Sequence, residues 1–249
     1  MNSSVTPGSE IIPRLTGQES ELPHPPSISA KGGGGKFDAS GAPLFFPGNT
    51  FICHIDTKSA FYKKLCQLQD ALKALPQAGG ITFLPKESFH MTVFGGVGGE
   101  PLCSSGWPED INKNSSLDAI NHSWCERVKQ SDYLGGFNVV PMGMRAPYSL
   151  AMQAATETDA LALQQARTKL QSLTQLVRDD FRSYRFHITL GYLVNWLDEA
   201  SAQELVSASN HLFDHYLGDC EPVRLGAVEF CRFESMHQFT PLCLFEQPC

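Results

Sequence analysis

The sequence lacks the features of a secreted, membrane-bound or metal-binding protein. Its eight cysteines contain no C-x-x-C pair and no spacing typical of metal ligands, which is the pattern of free thiols in a reducing compartment. No apolar run approaches the roughly 18 residues that a membrane helix needs. The polar, proline-rich residues 1–26 lack the charged start and apolar core of a secretory signal. We therefore expect a cytoplasmic protein that does not interact with membranes.

The chain also lacks an excess of positive charge. It has 19 Lys and Arg against 26 Asp and Glu, which gives a formal net charge of -7. Long nucleic acids are bound through many contacts between cations and phosphates, so this balance argues against such a partner. A small nucleotide or an RNA end needs only a local positive pocket. The 249 residues suffice for one large domain or two small lobes, and we expect a monomer.

One short pattern occurs twice in the chain. Residues 89–94 read F-H-M-T-V-F, and residues 186–191 read F-H-I-T-L-G. Both are apolar runs rich in strand-forming residues, and the side chains of a strand alternate between its two faces. In each copy, one face is therefore apolar, and the other carries a histidine followed two residues later by a threonine.

This pair of strands suits acid–base chemistry on a phosphate. A histidine with its usual pKa of about 6.5 accepts or donates a proton near neutral pH, and a threonine hydroxyl donates a hydrogen bond to a phosphoryl oxygen without adding charge. We predict that His90, Thr92, His187 and Thr189 are catalytic. The alternative is that both histidines are buried structural residues; the matched hydroxyls and the repeated context favour catalysis.

The rest of the chain is predicted to form one domain with two lobes. Residues 1–36 are rich in Ser, Pro, Gly and Glu and are predicted to be a disordered or loosely attached tail. The run K-G-G-G-G-K at its end lacks the G-K-[ST] ending of a phosphate loop and is interpreted as a flexible linker. Residues 37–249 form the predicted domain, with lobes at roughly 37–145 and 146–249. The motif histidines lie 187 − 90 = 97 residues apart, and similar elements flank both, which indicates a duplicated lobe.

Helices are predicted from apolar positions at helical spacing, and strands from short apolar runs between turn residues. The predicted helices are 58–75, 117–129, 158–178 and 198–216. The predicted strands are 51–56, 81–84, 89–94, 137–144, 148–153, 185–193, 223–233 and 238–245.

Side chains near the two motifs are candidates for substrate binding. Lys86 precedes the first motif, and Arg185 lies two residues before the second histidine, on the same strand face; the alternative is that both are ordinary surface charges. Phe94 and Tyr148 are candidates for stacking on a base, although core packing is the more common role of such residues. His54 lies on a predicted strand and is a further candidate, its alternative role being a structural hydrogen bond.

The two H-x-T strands resemble those of the 2H phosphoesterase superfamily. That superfamily includes the LigT-like RNA 2′,3′-cyclic phosphodiesterases, the plant cyclic phosphodiesterases and the phosphodiesterase part of tRNA ligases. The runs F-P-G-N-T at 46–50, S-F-H-M-T-V at 88–93 and G-Y-L-V-N-W-L at 191–197 resemble a less characterised branch of LigT-like proteins. The resemblance implies a two-lobed α+β fold, in which each lobe is an antiparallel sheet with outer helices and a central groove separates the lobes.

The same resemblance implies a metal-independent reaction without a cofactor. One histidine would act as a general base toward water or a ribose hydroxyl, the other would protonate the leaving oxygen, and Thr92 and Thr189 would hold the phosphoryl oxygens. The implied substrate is a 2′,3′-cyclic phosphate or a related nucleotide or RNA-end phosphodiester. Two alternatives stay open. One is a binding module that holds such a ligand without turnover. The other is a histidine-based metal site, which the hydroxyl partners disfavour.

Overall fold

The computed structural model of the protein describes residues 9–102 and 106–245. Cys103, Cys249 and residues 1–8 of the predicted tail lie outside the described residues. The helices are α1 (Ile12–Thr16), α2 (Ala60–Lys73), α3 (Leu117–Lys129), α4 (Glu157–Thr174) and α5 (Glu199–Leu217). The strands are β1 (Gly48–His54), β2 (Ile81–Phe83), β3 (His90–Gly98), β4 (Asn138–Ala146), β5 (Ser149–Ala154), β6 (His187–Thr189), β7 (Gly191–Leu193), β8 (Val223–Arg224), β9 (Glu229–Ser235) and β10 (Gln238–Leu244).

The four longer helices agree with the predicted ones to within four residues at every end. Each begins after a side chain that accepts a hydrogen bond from the backbone N–H three residues later, and these caps are Ser59, Ser116, Thr156 and Asp198. Such a cap satisfies one of the N–H groups that have no partner within the helix. Among residues 9–102 and 106–245, no helix is long and apolar enough to cross a membrane.

An eight-stranded sheet in the order β10-β9-β1-β3-β6-β5-β4-β8 connects the two lobes, and its strand pairs are antiparallel. Its halves meet where Met91 of β3 pairs with Ile188 of β6. The fold is therefore a two-lobed α+β fold, as predicted. However, the two halves of the sheet do not consist of the strands before and after the predicted lobe boundary. β4 precedes this boundary and belongs to the second half, whereas β9 and β10 follow it and belong to the first half.

The predicted alternation holds in both motif strands. Met91, Val93 and Ile188 are fully buried in a core that also contains side chains from α2, α3, α4 and α5. His90 and His187 are partly exposed because they point to the opposite face. The apolar face thus fixes the two strands in the core, and the histidine face is left open.

Two predicted strands are interrupted. The predicted strand 185–193 is split into β6 and β7, which pair in different sheets. Between them, the carbonyl oxygen of Leu190 accepts hydrogen bonds from the backbone N–H of Leu84, at 2.9 Å, and from the side chain of buried Gln69, at 3.0 Å. The predicted strand 223–233 is likewise split into β8 and β9. Hydrophobic periodicity alone does not reveal these breaks, because Leu190 at the first break and Leu225 and Val228 at the second are themselves apolar and buried.

The segment before β1 packs against the domain, which differs from the predicted loose tail. α1 buries Leu15 in a cluster with residues of β2, β7 and α5. Ile28 and Phe37 are buried in a second cluster with Leu84 and Val194. The segment has few apolar residues, but Leu15, Ile28 and Phe37 among them are buried against the domain. The prediction of a loose tail relied on the average composition of this segment. The structure shows that a few buried apolar side chains are enough to hold it against the domain.

Candidate active site

His90, Thr92, His187 and Thr189 line one groove at the seam between the two halves of the sheet. They come together because β3 and β6 are antiparallel neighbours, so the two motifs lie side by side on the same face. The groove encloses a cavity of about 380 Å³, within the size range of small-molecule sites. The structure therefore places all four residues that the sequence predicts to be catalytic around one cavity.

The ring of His90 is fixed by the backbone of its own strand. Its Nδ1 lies 2.7 Å from the carbonyl oxygen of Ser88, and a carbonyl can only accept, so Nδ1 carries the proton. The ring also packs on Phe239 of β10, with 4.2 Å between the ring centroids. Burial lowers the pKa of His90 to about 4, although the hydrogen bond to Ser88 opposes this shift. The Nε2 of His90 is consequently an unprotonated acceptor at neutral pH.

His187 is held in the same way. Its Nδ1 lies 2.8 Å from the carbonyl oxygen of Arg185, two residues earlier, as in the first motif. The pKa of His187 is also lowered, first by burial and then by the charges of Arg145 and Lys36, while the bond to the Arg185 carbonyl opposes the shift. Both carbonyl contacts thus call for a proton on Nδ1, which leaves Nε2 of each neutral ring as an acceptor.

The two threonines add neutral hydrogen-bonding groups to the groove. Within the part of the chain that the structure describes, neither the Thr92 nor the Thr189 hydroxyl has a hydrogen-bond partner, and both side chains line the groove. A hydroxyl can turn its proton toward a bound oxygen. The groove therefore combines two ring nitrogens and two hydroxyl donors, a set able to bind one phosphoryl group and exchange protons with it.

Three cations that the sequence did not single out also line the groove: Lys36, Arg167 and Arg178. Arg167 is only 6% exposed and donates to the carbonyl oxygens of Val93, at 2.6 Å, and Phe181, at 3.2 Å. It thereby ties α4 to β3, the strand that carries His90. Spacing gave no signal for Arg167, because arginine on a helix normally faces solvent.

Tyr184 connects the two motif strands. Its hydroxyl donates to the carbonyl oxygen of Thr92 at 3.3 Å, and its ring centroid lies 6.0 Å from that of His187. The guanidinium of Arg167 stacks over the same ring at 4.3 Å. Burial raises the pKa of Tyr184 to about 12, so the phenol stays protonated and remains a donor. This tyrosine therefore contacts residues of both motif strands.

The predicted aromatic candidates and His54 differ in whether they line the groove. Phe94 lines the groove and is fully buried. Tyr148 lines a neighbouring cavity. His54 lies beside His90 on β1, with 6.2 Å between the ring centroids, and its Nδ1 lies 2.9 Å from Glu229 Oε2. His54 therefore contacts the back of the site and is not among the groove-lining residues.

The two predicted cations outside the motifs are not among the residues that line the groove. Lys86 forms an ion pair with Asp70 on α2, at 2.6 Å. The side chain of Arg185 is exposed, and its backbone carbonyl, rather than its guanidinium, is what contacts His187. A strand face shared with the histidine was the reason for choosing Arg185, but β6 begins only at His187.

One trio in the described chain has donor atoms close enough to share a metal ion. The donor atoms of His54, Glu229 and Cys231 lie within 4.8 Å of one another, but His54 and Glu229 already pair with each other. Burial raises the pKa of the Cys231 thiol, which disfavours the thiolate that a metal binds. None of the three lines the groove, so this trio is separate from the cavity that contains the two motifs.

Comparisons with known proteins connect part of the chain with a named family. A family model called 2H-phosphodiest, a domain of unknown function (DUF1868), matches residues 36–147, which contain the first H-x-T motif but not the second. A solved structure of a conserved protein of unknown function from Agrobacterium tumefaciens shares the fold. It is 25% identical in sequence with a TM-score of 0.86, and the match covers 96% of this chain and 100% of that chain. A search of curated proteins finds no match.

Proposed function

We propose that this protein is a metal-independent phosphodiesterase that hydrolyses a 2′,3′-cyclic phosphate or a related nucleotide or RNA-end phosphodiester. The observation that carries the proposal is the arrangement of His90 and His187, which lie on neighbouring strands with Nδ1 held by the backbone and line one cavity with two threonines. The name of the family model that matches residues 36–147 supports the same reaction class.

The proposed hydrolysis begins with one imidazole neutral and the other protonated. The neutral Nε2 accepts a proton from water as the water oxygen bonds to phosphorus. The bond from phosphorus to one ribose oxygen then breaks, and the protonated imidazole gives its proton to that oxygen. The product is a phosphomonoester, and one water is consumed. Positioned acid and base groups typically contribute about 10²–10⁴-fold each.

Substrate binding itself prepares the protonated imidazole. Burial is the first cause of the lowered pKa of both His90 and His187, because a buried charge without a partner is unfavourable. An anionic phosphoryl group between the rings offsets that penalty and raises the pKa of the histidine it contacts. The hydroxyls of Thr92 and Thr189 donate to the phosphoryl oxygens and stabilise the charge that grows there in the transition state.

Turnover of a substrate panel tests this proposal. Nucleoside 2′,3′-cyclic phosphates and short RNAs with a cyclic phosphate end are incubated with the wild-type protein in EDTA, and the products are identified by ³¹P NMR. Conversion to a 2′- or 3′-phosphomonoester in EDTA is the expected result. Conversion that stops in EDTA and returns with a divalent metal would overturn the metal-independent mechanism. Tight binding of a panel member that stays uncleaved would instead identify a binding module.

A further inference from the structure

We infer that the substrate carries a second anionic group, and that this group binds in a cationic subsite formed by Arg14, Lys36 and Arg145 beside the catalytic groove. The inference rests on the proposed function, since it describes a second part of the same substrate. Its chemical class is a phosphomonoester group, such as the 5′-phosphate of a nucleoside 2′,3′-cyclic phosphate.

The cationic subsite lines a separate cavity of about 510 Å³ that adjoins the groove. His187, Thr189, Lys36 and Tyr192 line both cavities, whereas His90 lines only the groove. The second cavity therefore extends the site past His187. A substrate whose phosphodiester lies between the two histidines can place its other end there.

The charges around this cavity favour an anion. Of the described residues that line it, three are cations and none is Asp or Glu, although the whole chain has a net charge of -7. Within the described chain, no carboxylate forms an ion pair with Lys36 or Arg145. Arg14 pairs at 3.3 Å with Glu19, and both side chains are more than half exposed. Such an exposed pair contributes little, so Arg14 can exchange it for a ligand.

Arg145 has a contact that an anion would improve. Its Nη1 lies 2.9 Å from Nδ1 of His187, the nitrogen whose proton is donated to the Arg185 carbonyl. A guanidinium only donates, so this contact needs an unprotonated Nδ1 and competes with the contact between Nδ1–H and the Arg185 carbonyl. A phosphate in the subsite gives Arg145 an acceptor free of this competition, in the bidentate geometry that arginine favours.

Ring contacts and backbone hydrogen bonds position Lys36 to bind the same phosphate. Its ammonium lies 5.0 Å from the ring centroid of Tyr192 and 5.6 Å from that of Phe46, both within cation–π range. Its backbone N–H donates to the carbonyl of Ser27 at 2.8 Å, and its own carbonyl accepts from Leu44 at 2.9 Å. The side chain thus reaches the junction of the two cavities from a fixed backbone, and this preorganisation reduces the entropy lost on binding.

The first test compares turnover of adenosine 2′,3′-cyclic phosphate with a 5′-hydroxyl or a 5′-phosphate. We expect kcat/KM to be at least about tenfold higher for the 5′-phosphate, because charge-assisted hydrogen bonds are the stronger ones. This ratio should fall toward one in Arg14→Gln and in Lys36→Met, and in wild type at high salt. The matched control is Lys169→Gln, whose lysine pairs with Asp132 and is among the lining residues of neither cavity. A wild-type ratio of about one would overturn the subsite and leave the proposed function standing.

A calorimetric measurement keeps the inference testable if neither cyclic phosphate is turned over. Adenosine 3′-monophosphate is compared with adenosine 3′,5′-bisphosphate, together with the matching 2′ pair. Tighter binding of the bisphosphate by at least about tenfold, reduced in Arg14→Gln but not in Lys169→Gln, supports the subsite even though the proposed reaction has failed. Equal affinities contradict the subsite, and an absence of binding by all four nucleotides contradicts both the subsite and the proposed function.

Discussion

His90 and His187 hold their rings by the same contact: each Nδ1 lies against the carbonyl oxygen of the residue two positions earlier, at 2.7 Å and 2.8 Å. The two strands are antiparallel neighbours in the middle of the sheet. The same backbone contact therefore orients both rings and leaves Nε2 of each as the available nitrogen. This symmetry means that either histidine fits the role of acid or of base, and the orientation of the substrate decides between them.

Removal of either threonine hydroxyl is expected to lower kcat rather than to raise KM. Thr92→Val and Thr189→Val keep the shape of the side chain but remove the donor, so each should lower kcat by about a hundredfold, as expected for the loss of one donor to a transition-state oxygen. Thr92→Ser and Thr189→Ser should restore most of the activity. The exposed Thr168→Val serves as control. If the valine variants change KM alone, the hydroxyls bind the ground state and do not stabilise the transition state.

The lowered pKa of His90 predicts a loss of stability in acid. Its pKa is about 4 in the folded protein and about 6.5 when unfolded, so the unfolded chain binds more protons between these values. Stability contributed by neutral His90 is thus complete above pH 6.5 and is lost as the pH falls toward 4, by at most about 3 kcal/mol.

Urea denaturation of wild type and His90→Gln at pH 7, 5.5 and 4 measures this effect. The free energy of unfolding should fall more steeply in the wild type, since His187 and all other groups are common to both proteins. Parallel pH dependences would show that burial does not lower the pKa of His90.

A glycine pair tests whether the N-terminal segment is docked. Gly17 and Gly32 both have positive φ, 76° and 82°, but a Cβ on Gly17 would lie 2.7 Å from the ring of Trp196, whereas one on Gly32 meets nothing within 4 Å. Gly32→Ala should cost about 1 kcal/mol from backbone strain alone. Gly17→Ala should cost about 2 kcal/mol more, because the ring must move. Equal losses, measured by thermal unfolding, would mean that Trp196 does not hold α1 in place.

The four motif residues that line the groove could be predicted from the sequence because a strand encodes its faces locally. The alternation in the two motifs placed His90 and Thr92 on one side, and the repeat supplied His187 and Thr189. That the two strands are neighbours in one sheet depends on contacts between distant parts of the chain. The spacing of residues in the sequence does not reveal that the two motifs share one groove. The resemblance to a known superfamily is what led to that expectation.

The cations of the site could not be predicted, for reasons that differ from residue to residue. Lys36 follows four glycines in a stretch whose composition is typical of a linker. The buried side chains of Ile28 and Phe37 nevertheless pack this stretch against the domain. Arg145 lies 42 residues before His187 in the chain and reaches it only because β5 pairs with both β4 and β6. Lys86, in contrast, is close to the motif in sequence but turns to Asp70.

Turnover of a nucleoside 2′,3′-cyclic phosphate by His90→Ala and His187→Ala in EDTA tests the two-histidine mechanism most directly. Each variant should lose at least about a hundredfold in kcat while remaining folded. His211→Ala, which changes an exposed histidine on α5, should retain wild-type activity. Wild-type rates in either His90→Ala or His187→Ala would contradict the two-histidine mechanism.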